Sequence, residues 1–178
     1  MPLDTTGLNP ALASLLAGIA EAAASAPADA RADARAAAVA RAMAPTVATP
    51  GLLEGFDCPC RQDRYVRHLL AEDAALGYAV VALVWRPGQM SPVHAHRTWC
   101  ALGVHRGALT ETFYTPAEAL PEPRLSVLRC PGDTSHGEAR PDLIHRIANL
   151  GTCDAISIHC YGVAFERFGS DVNTILAD

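Results

Sequence analysis

The chain has 178 residues, 50% of them hydrophobic and 19% charged, which suits one globular domain with its own core and excludes a disordered chain. A net charge of −5 excludes the basic stripe that a nucleic-acid binder would carry. No run reaches the ~20 apolar residues of a membrane span. The apolar run Leu12 to Ile19 has Asp4 before it and Arg31 as the first arginine, so a cytoplasmic protein without a signal peptide or membrane contact is expected.

Asn9-Pro10 opens the first element, with Asn as the cap and Pro in the first turn. Leu12, Leu15, Leu16 and Ile19 then fall at i, i+3, i+4 and i+7 and make one apolar face. Pro27 punctuates, and a second, Ala-rich helix is predicted from about Ala28 to Ala44, striped by Val39 and Met43 and ended by Pro45. This helical segment, residues 1–50, is expected to pack outside a main domain of residues 51–178. Six cysteines are present, and in a cytosolic chain they are expected as thiols. Cys58-Pro-Cys60 has neither zinc-ribbon spacing nor a second pair, and reads as two loop cysteines.

From Tyr65 onward the pattern is that of strands. The runs Tyr65 to Leu70, Tyr78 to Trp85, Val93 to Arg106, Leu109 to Tyr114, Arg124 to Arg129, Leu143 to Ala148 and Asp154 to Tyr161 are rich in β-branched or aromatic residues. Pro87-Gly88, Arg106-Gly107, Pro131-Gly132-Asp133 and Leu150-Gly151 separate them as turns. Many short strands at this spacing predict a mainly β sandwich or barrel of the jelly-roll class.

The third of these runs carries Gly88-x5-His94-x-His96-x3-Cys100-x6-Gly107, and His145-x3-Asn149 follows. Strand side chains alternate, so His94 and His96 share a face, and Cys100 joins them if the strand is unbulged. Two imidazoles on one face can share a metal with a third histidine from elsewhere. Imidazole suits Fe, Zn, Cu and Ni alike, so the donors leave the metal open. Three neutral histidines leave the ion's charge uncompensated, which favours an anionic substrate bound directly to it. His68 and His105 have the opposite parity and are expected to face away, and His136 falls in a Ser/Gly/Glu-rich stretch expected to be a solvated loop. Ser157-x-His159-x-Tyr161 puts hydroxyl, imidazole and phenol on one face. That row can pass a hydrogen bond along, or form the polar face of an exposed strand.

Together these residues resemble the cysteine dioxygenase family of thiol dioxygenases in the cupin superfamily. The resemblance runs from about Tyr65 to Phe165 and rests on Tyr65-x-Arg67-x-Leu69, the His94/His96/Cys100 strand, His145-Arg146-Ile147-x-Asn149, and Ser157-x-His159-x-Tyr161. It implies a cupin-type jelly-roll β-barrel with the N-terminal α-helices packed outside. It implies Fe(II) held by His94, His96 and His145. Arg67, with Tyr65, would grip a substrate carboxylate, to which its planar fork of donors is suited. Ser157, His159 and Tyr161 would form an outer-sphere triad. Cys100 occupies the position that, in animal members, forms a thioether crosslink to the tyrosine equivalent to Tyr161. The implied reaction adds both atoms of O2 to the sulfur of a small thiol, giving a sulfinate.

Three residues separate His96 from Cys100, where animal members have four, and many bacterial relatives carry glycine at the Cys100 position. Relatives acting on 3-mercaptopropionate tend to carry glutamine where this chain has Arg67, so arginine tips the expectation towards L-cysteine. Mercaptosuccinate is a further candidate, with Arg97 or Arg167 for its second carboxylate. A zinc or nickel cupin doing hydrolysis or isomerisation stays open on ligand chemistry, though it lacks an evident general base, Glu111 being the only candidate near the motif strand; so does a small-molecule-binding module. The expected partners are a small thiol and O2, in a monomer or small homo-oligomer.

Overall fold

The computed structural model describes residues 7–25 and 32–177, with the side chain of Ala32 left aside. Helix α1 spans Pro10–Ser25 and α2 spans Ala32–Met43. The Asn9 side chain accepts the Leu12 amide at 3.0 Å, the capping contact that the sequence implies. The Pro27 break and the expected start at Ala28 lie outside the described residues.

Ten strands follow: β1 Val66–Asp73, β2 Tyr78–Trp85, β3 Val93–His96, β4 Cys100–Arg106, β5 Leu109–Thr115, β6 Glu122–Arg129, β7 Thr134–Gly137, β8 Ile144–Ala148, β9 Ala155–Tyr161 and β10 Asn173–Ala177. A 3-10 turn, Phe165–Arg167, and the short helix α3, Phe168–Asp171, precede β10. The strands form two antiparallel sheets ordered β1-β2-β9-β4-β7 and β10-β3-β8-β5-β6, the double-stranded β-helix of a jelly roll.

Two expectations are corrected. The run Val93 to Arg106 is not one strand: it breaks at Arg97-Thr98-Trp99, and its halves lie in different sheets. The break keeps an even spacing from His96 to Cys100, so the cysteine still looks inward. His136 lies on β7, not in a loop, paired opposite Ala101. The motif glycines mark the turns, with φ of +83° at Gly88 and +74° at Gly107, where a side chain would be strained.

The central strands β2 and β9 of the first sheet are buried on both faces, and β4 is so over Cys100 to Val104. The sheet's outer residues Val80, Ala82, Val84, Ala101, Ile156, Ile158 and Cys160 form one cluster with Leu12, Leu15, Leu16, Ile19, Val39 and Met43 of the helices. Its inner residues Val81, Leu83, Trp85, Leu102 and Val104 pack towards the second sheet. Covering the outer face this way leaves the inner face free to carry polar side chains between the sheets.

Candidate metal centre

His94 and His145 are direct cross-strand partners on β3 and β8, and His96 lies two residues along β3 on the same face. Their Nε2 atoms converge, with His145 at 3.0 Å from His96 and 3.2 Å from His94. Donors about 2.0–2.1 Å from one metal ion stand about 2.8–3.4 Å apart at octahedral to tetrahedral angles. The Nδ1–H of His94 donates to the Pro92 carbonyl at 2.9 Å, and that of His145 to Glu111 at 2.9 Å. Both tautomers therefore leave Nε2 unprotonated, and the lone pairs of His94 and His145 point at one another. A cation between them relieves that repulsion. Burial first, then His145, brings the His94 pKa down to about 3, and burial likewise holds His96 well below the ordinary imidazole value. Among the described residues this is the one cluster of three or more His, Cys, Asp or Glu with metal-ligand proximity, and its neutral imidazoles fit an ion.

A small cavity opens on this cluster, lined by Tyr65, Arg67, Leu83, Cys100, His159 and Tyr161, with Ser91 and Asn173. Tyr65 stacks on Trp85, ring centroids 4.3 Å apart, and its hydroxyl accepts from Arg67 Nη2 at 3.3 Å. Arg67 Nε is buried with no hydrogen-bond partner among the described residues, and so is Asn173 Oδ1.

Across the cavity, Ser157, His159 and Tyr161 form a chain that begins one residue earlier than the sequence motif. The indole Nε1–H of Trp85 donates to Ser157 Oγ at 2.9 Å, Ser157 meets His159 Nε2 at 2.8 Å, and His159 Nδ1 meets the Tyr161 hydroxyl at 3.0 Å. Indole can only donate, so the Ser157 proton goes to His159 Nε2. Nδ1–H then donates to the phenol oxygen, which frees the phenol proton for the cavity. Burial and the nearby Arg67 bring His159 down to about 3, and burial raises Tyr161 well above the ordinary phenol value. Imidazole and phenol are both neutral near pH 7. The alternative of an exposed polar strand face is overturned, since every residue of β9 is buried.

Cys100 is buried at the same cavity, directly opposite Tyr161 in the β4–β9 register. Burial pushes its thiol up to about 12. All six cysteines are free thiols, and the Cys58 loop is pinned by His68, whose Nε2–H donates to the Pro59 carbonyl at 3.0 Å. His105 faces the helices, donating to the Val47 carbonyl at 2.8 Å. His136 borders a separate cavity behind His96 and His145, with Phe113 and Leu143. Arg97 and Arg167 line a different surface depression, away from the histidines. Arg97 donates to Thr174 at 3.0 Å and Arg167 pairs with Asp171. Asn149 is structural: its amide donates to the Trp85 and Cys153 carbonyls, both at 2.9 Å, and closes the turn after β8.

Glu111, on β5, had no local sequence signal for its place. It is 1% exposed, and its two oxygens are bound by His145, Ser135 and Arg129. Burial pushes its carboxyl up, but the hydrogen bond and charge of His145, and then Arg129, more than offset this and hold it below the ordinary value.

A family model described as cysteine dioxygenase type I matches residues 30–169. Among solved structures, the chain is similar to an uncharacterized conserved protein with a double-stranded β-helix domain from Klebsiella pneumoniae. The two are 17% identical, with a TM-score of 0.51, over 71% of this chain and 89% of that one. It is also similar to a cupin superfamily protein from Desulfitobacterium hafniense, 14% identical with a TM-score of 0.47, over 60% of this chain and 84% of that one.

Proposed function

The chain belongs to the cysteine dioxygenase type I family, and from that premise we propose that it is an iron-dependent thiol dioxygenase converting L-cysteine to cysteine sulfinic acid. The observation that carries the reading is the set of three convergent histidine Nε2 atoms beside an arginine with a free buried donor in one small cavity. His94, His96 and His145 would hold Fe(II), which supplies a site where a thiolate and dioxygen meet and keeps the thiol deprotonated at neutral pH. The activity is assigned to the barrel segment, residues 51–178, with the helices of residues 1–50 as its outer packing.

The chain's own residues divide the remaining work. Arg67 takes the substrate carboxylate, held in place by Tyr65, whose ring lies 5.5 Å from the guanidinium carbon and is itself stacked on Trp85. Tyr161 offers its phenol proton to the reacting atoms, aimed by His159 and Ser157, and its raised pKa keeps that proton on oxygen near neutral pH. Tyr65, Trp85 and Leu83 shed water from the cavity, which strengthens each of these polar contacts.

Two observations favour cysteine among small thiols, and a third counts against a hydrolytic zinc centre. Arg67 Nε is a free donor and Asn173 Oδ1 a free acceptor beside the same cavity, a pairing that matches a carboxylate and an ammonium. Arg97 and Arg167, the candidates for a second carboxylate, are elsewhere and already partnered. Glu111 is fully bound by three partners and is not free to act as the base that a hydrolytic zinc centre needs. The test is oxygen uptake by iron-loaded protein offered cysteine, 3-mercaptopropionate and mercaptosuccinate. Cysteine should give the highest kcat/KM; a higher value for either of the others assigns the substrate differently, and no uptake with any thiol sinks the reading.

A further inference from the structure

Behind His145 lies a polar system that the reaction scheme above does not use. Glu111 Oε1 accepts from His145 Nδ1–H at 2.9 Å and from the Ser135 hydroxyl at 3.2 Å. Glu111 Oε2 accepts from Arg129 Nε at 2.9 Å and Nη2 at 2.8 Å. The four residues come from β5, β6, β7 and β8, and so from both sheets. An ionised carboxylate 1% exposed is costly to keep in a protein interior without such partners. A structural staple could be made with neutral side chains; a carboxylate directed at a histidine nitrogen does something a staple does not require. It dictates which nitrogen carries the proton.

We propose that Glu111 is a positioning residue of the metal centre: one of its oxygens locks His145 in the Nδ1–H tautomer, so that Nε2 is free for the ion, and Arg129 holds the other. The arrangement places a negative charge one hydrogen bond behind an otherwise uncharged set of donors. Arg129 is part of the device because it decides which way the carboxylate, or any amide put in its place, can face. The inference rests on the three-histidine site and not on which reaction that site runs.

Glu111→Gln tests it. The single amide oxygen is drawn to the Arg129 guanidinium, so the amide NH2 faces His145 Nδ1 and drives the imidazole proton onto Nε2, the ligand atom. Titration of metal-free protein with Co(II) or Zn(II) should show affinity lowered about 10–100-fold. Adding Arg129→Met frees the amide to turn its oxygen to His145, and the double variant should regain most of the lost affinity. A staple predicts the reverse, with the double variant weaker than either single one. Wild-type affinity in Glu111→Gln, or no recovery in the double variant, overturns the proposal. Nitrogen NMR of wild-type metal-free protein provides a readout independent of the variants' folding: His145 should be protonated on Nδ1, and protonation on Nε2 overturns it equally. Neither measurement involves a thiol or oxygen, so the dioxygenase reading stands or falls separately.

Discussion

Arg67 gathers three constraints on one side chain. Its Nη2 donates to the Tyr65 hydroxyl, its guanidinium lies against the Tyr65 ring, and its Nε is buried without a partner among the described residues. A buried unpaired donor is costly, and a bound carboxylate removes that cost. Arg67→Ala should therefore lose roughly 1.5–3 kcal/mol of binding, the scale of a charge-assisted hydrogen bond. This corresponds to about a ten- to over a hundredfold rise in KM for cysteine where KM follows binding. Steady-state kinetics on the variant give the answer, and an unchanged KM removes Arg67 from the role of carboxylate anchor. At this scale the sequence was readable where spacing carried the chemistry. His94 and His96 share a face by strand parity, and Ser157, His159 and Tyr161 share one by the same rule. It offered Glu111 only as a candidate base, not as the partner of His145, and was silent on Trp85. Each reaches its partner only through the fold, 34 residues from His145 and 72 from Ser157, and neither belongs to a local pattern. That Arg97 and Arg167 line a different depression from the histidines was also hidden, because spacing along the chain does not reveal which edge of a barrel a loop occupies.

Between elements, the informative contact is the pairing of β4 with β9. The register sets Cys100 opposite Tyr161, Leu102 opposite His159 and Val104 opposite Ser157, so the inward row of one strand lies against the inward row of the other. Directly opposed residues have Cβ atoms about 4.5–5.5 Å apart, a span within reach of a thioether between a cysteine sulfur and a tyrosine ring. Such a bond requires a two-electron oxidation, with removal of the thiol hydrogen and one ring hydrogen, for which O2 would be the oxidant if His94, His96 and His145 hold iron. We expect the intact mass of iron-loaded protein, after turnover with cysteine, to fall by the hydrogens lost, and Cys100→Ala to abolish the change. An unaltered mass in turned-over protein contradicts the crosslink. The spacing of three residues between His96 and Cys100 is accommodated by the turn Arg97-Thr98-Trp99, which carries the chain from one sheet to the other. The sequence could not display that turn, because Thr98 and Trp99 are themselves good strand residues. The short strand β7 was hidden for the opposite reason: Thr134-Ser135-His136-Gly137 has no apolar alternation, and pairing with β4 makes it a strand.

Across the whole molecule, the division of labour between the two sheets explains how a small chain keeps eight polar or charged residues buried among the described residues. The first sheet has apolar residues on both faces because α1 and α2 roof its outer side. The triad and Arg67 can then occupy its inner side, opposite the histidines contributed by the second sheet. The jelly-roll class, the two helices and the main strands were legible because each rests on a local period, 3.6 for α1 and 2 for the strands. The closing strand β10 was not, since Asn173–Ala177 has a pattern too short to stand alone and becomes a strand by pairing with β3. Among the described residues no helix is long and apolar enough to cross a membrane.

The central claim is that three uncharged imidazoles hold an ion at which a thiol and dioxygen react together. The most direct test is a single reaction of iron-loaded protein with cysteine under isotopically heavy dioxygen, followed by mass analysis of the sulfur product. The account predicts a sulfinate in which both oxygen atoms carry the heavy isotope. A product labelled at one oxygen, labelled from water, or consisting only of disulfide would contradict it.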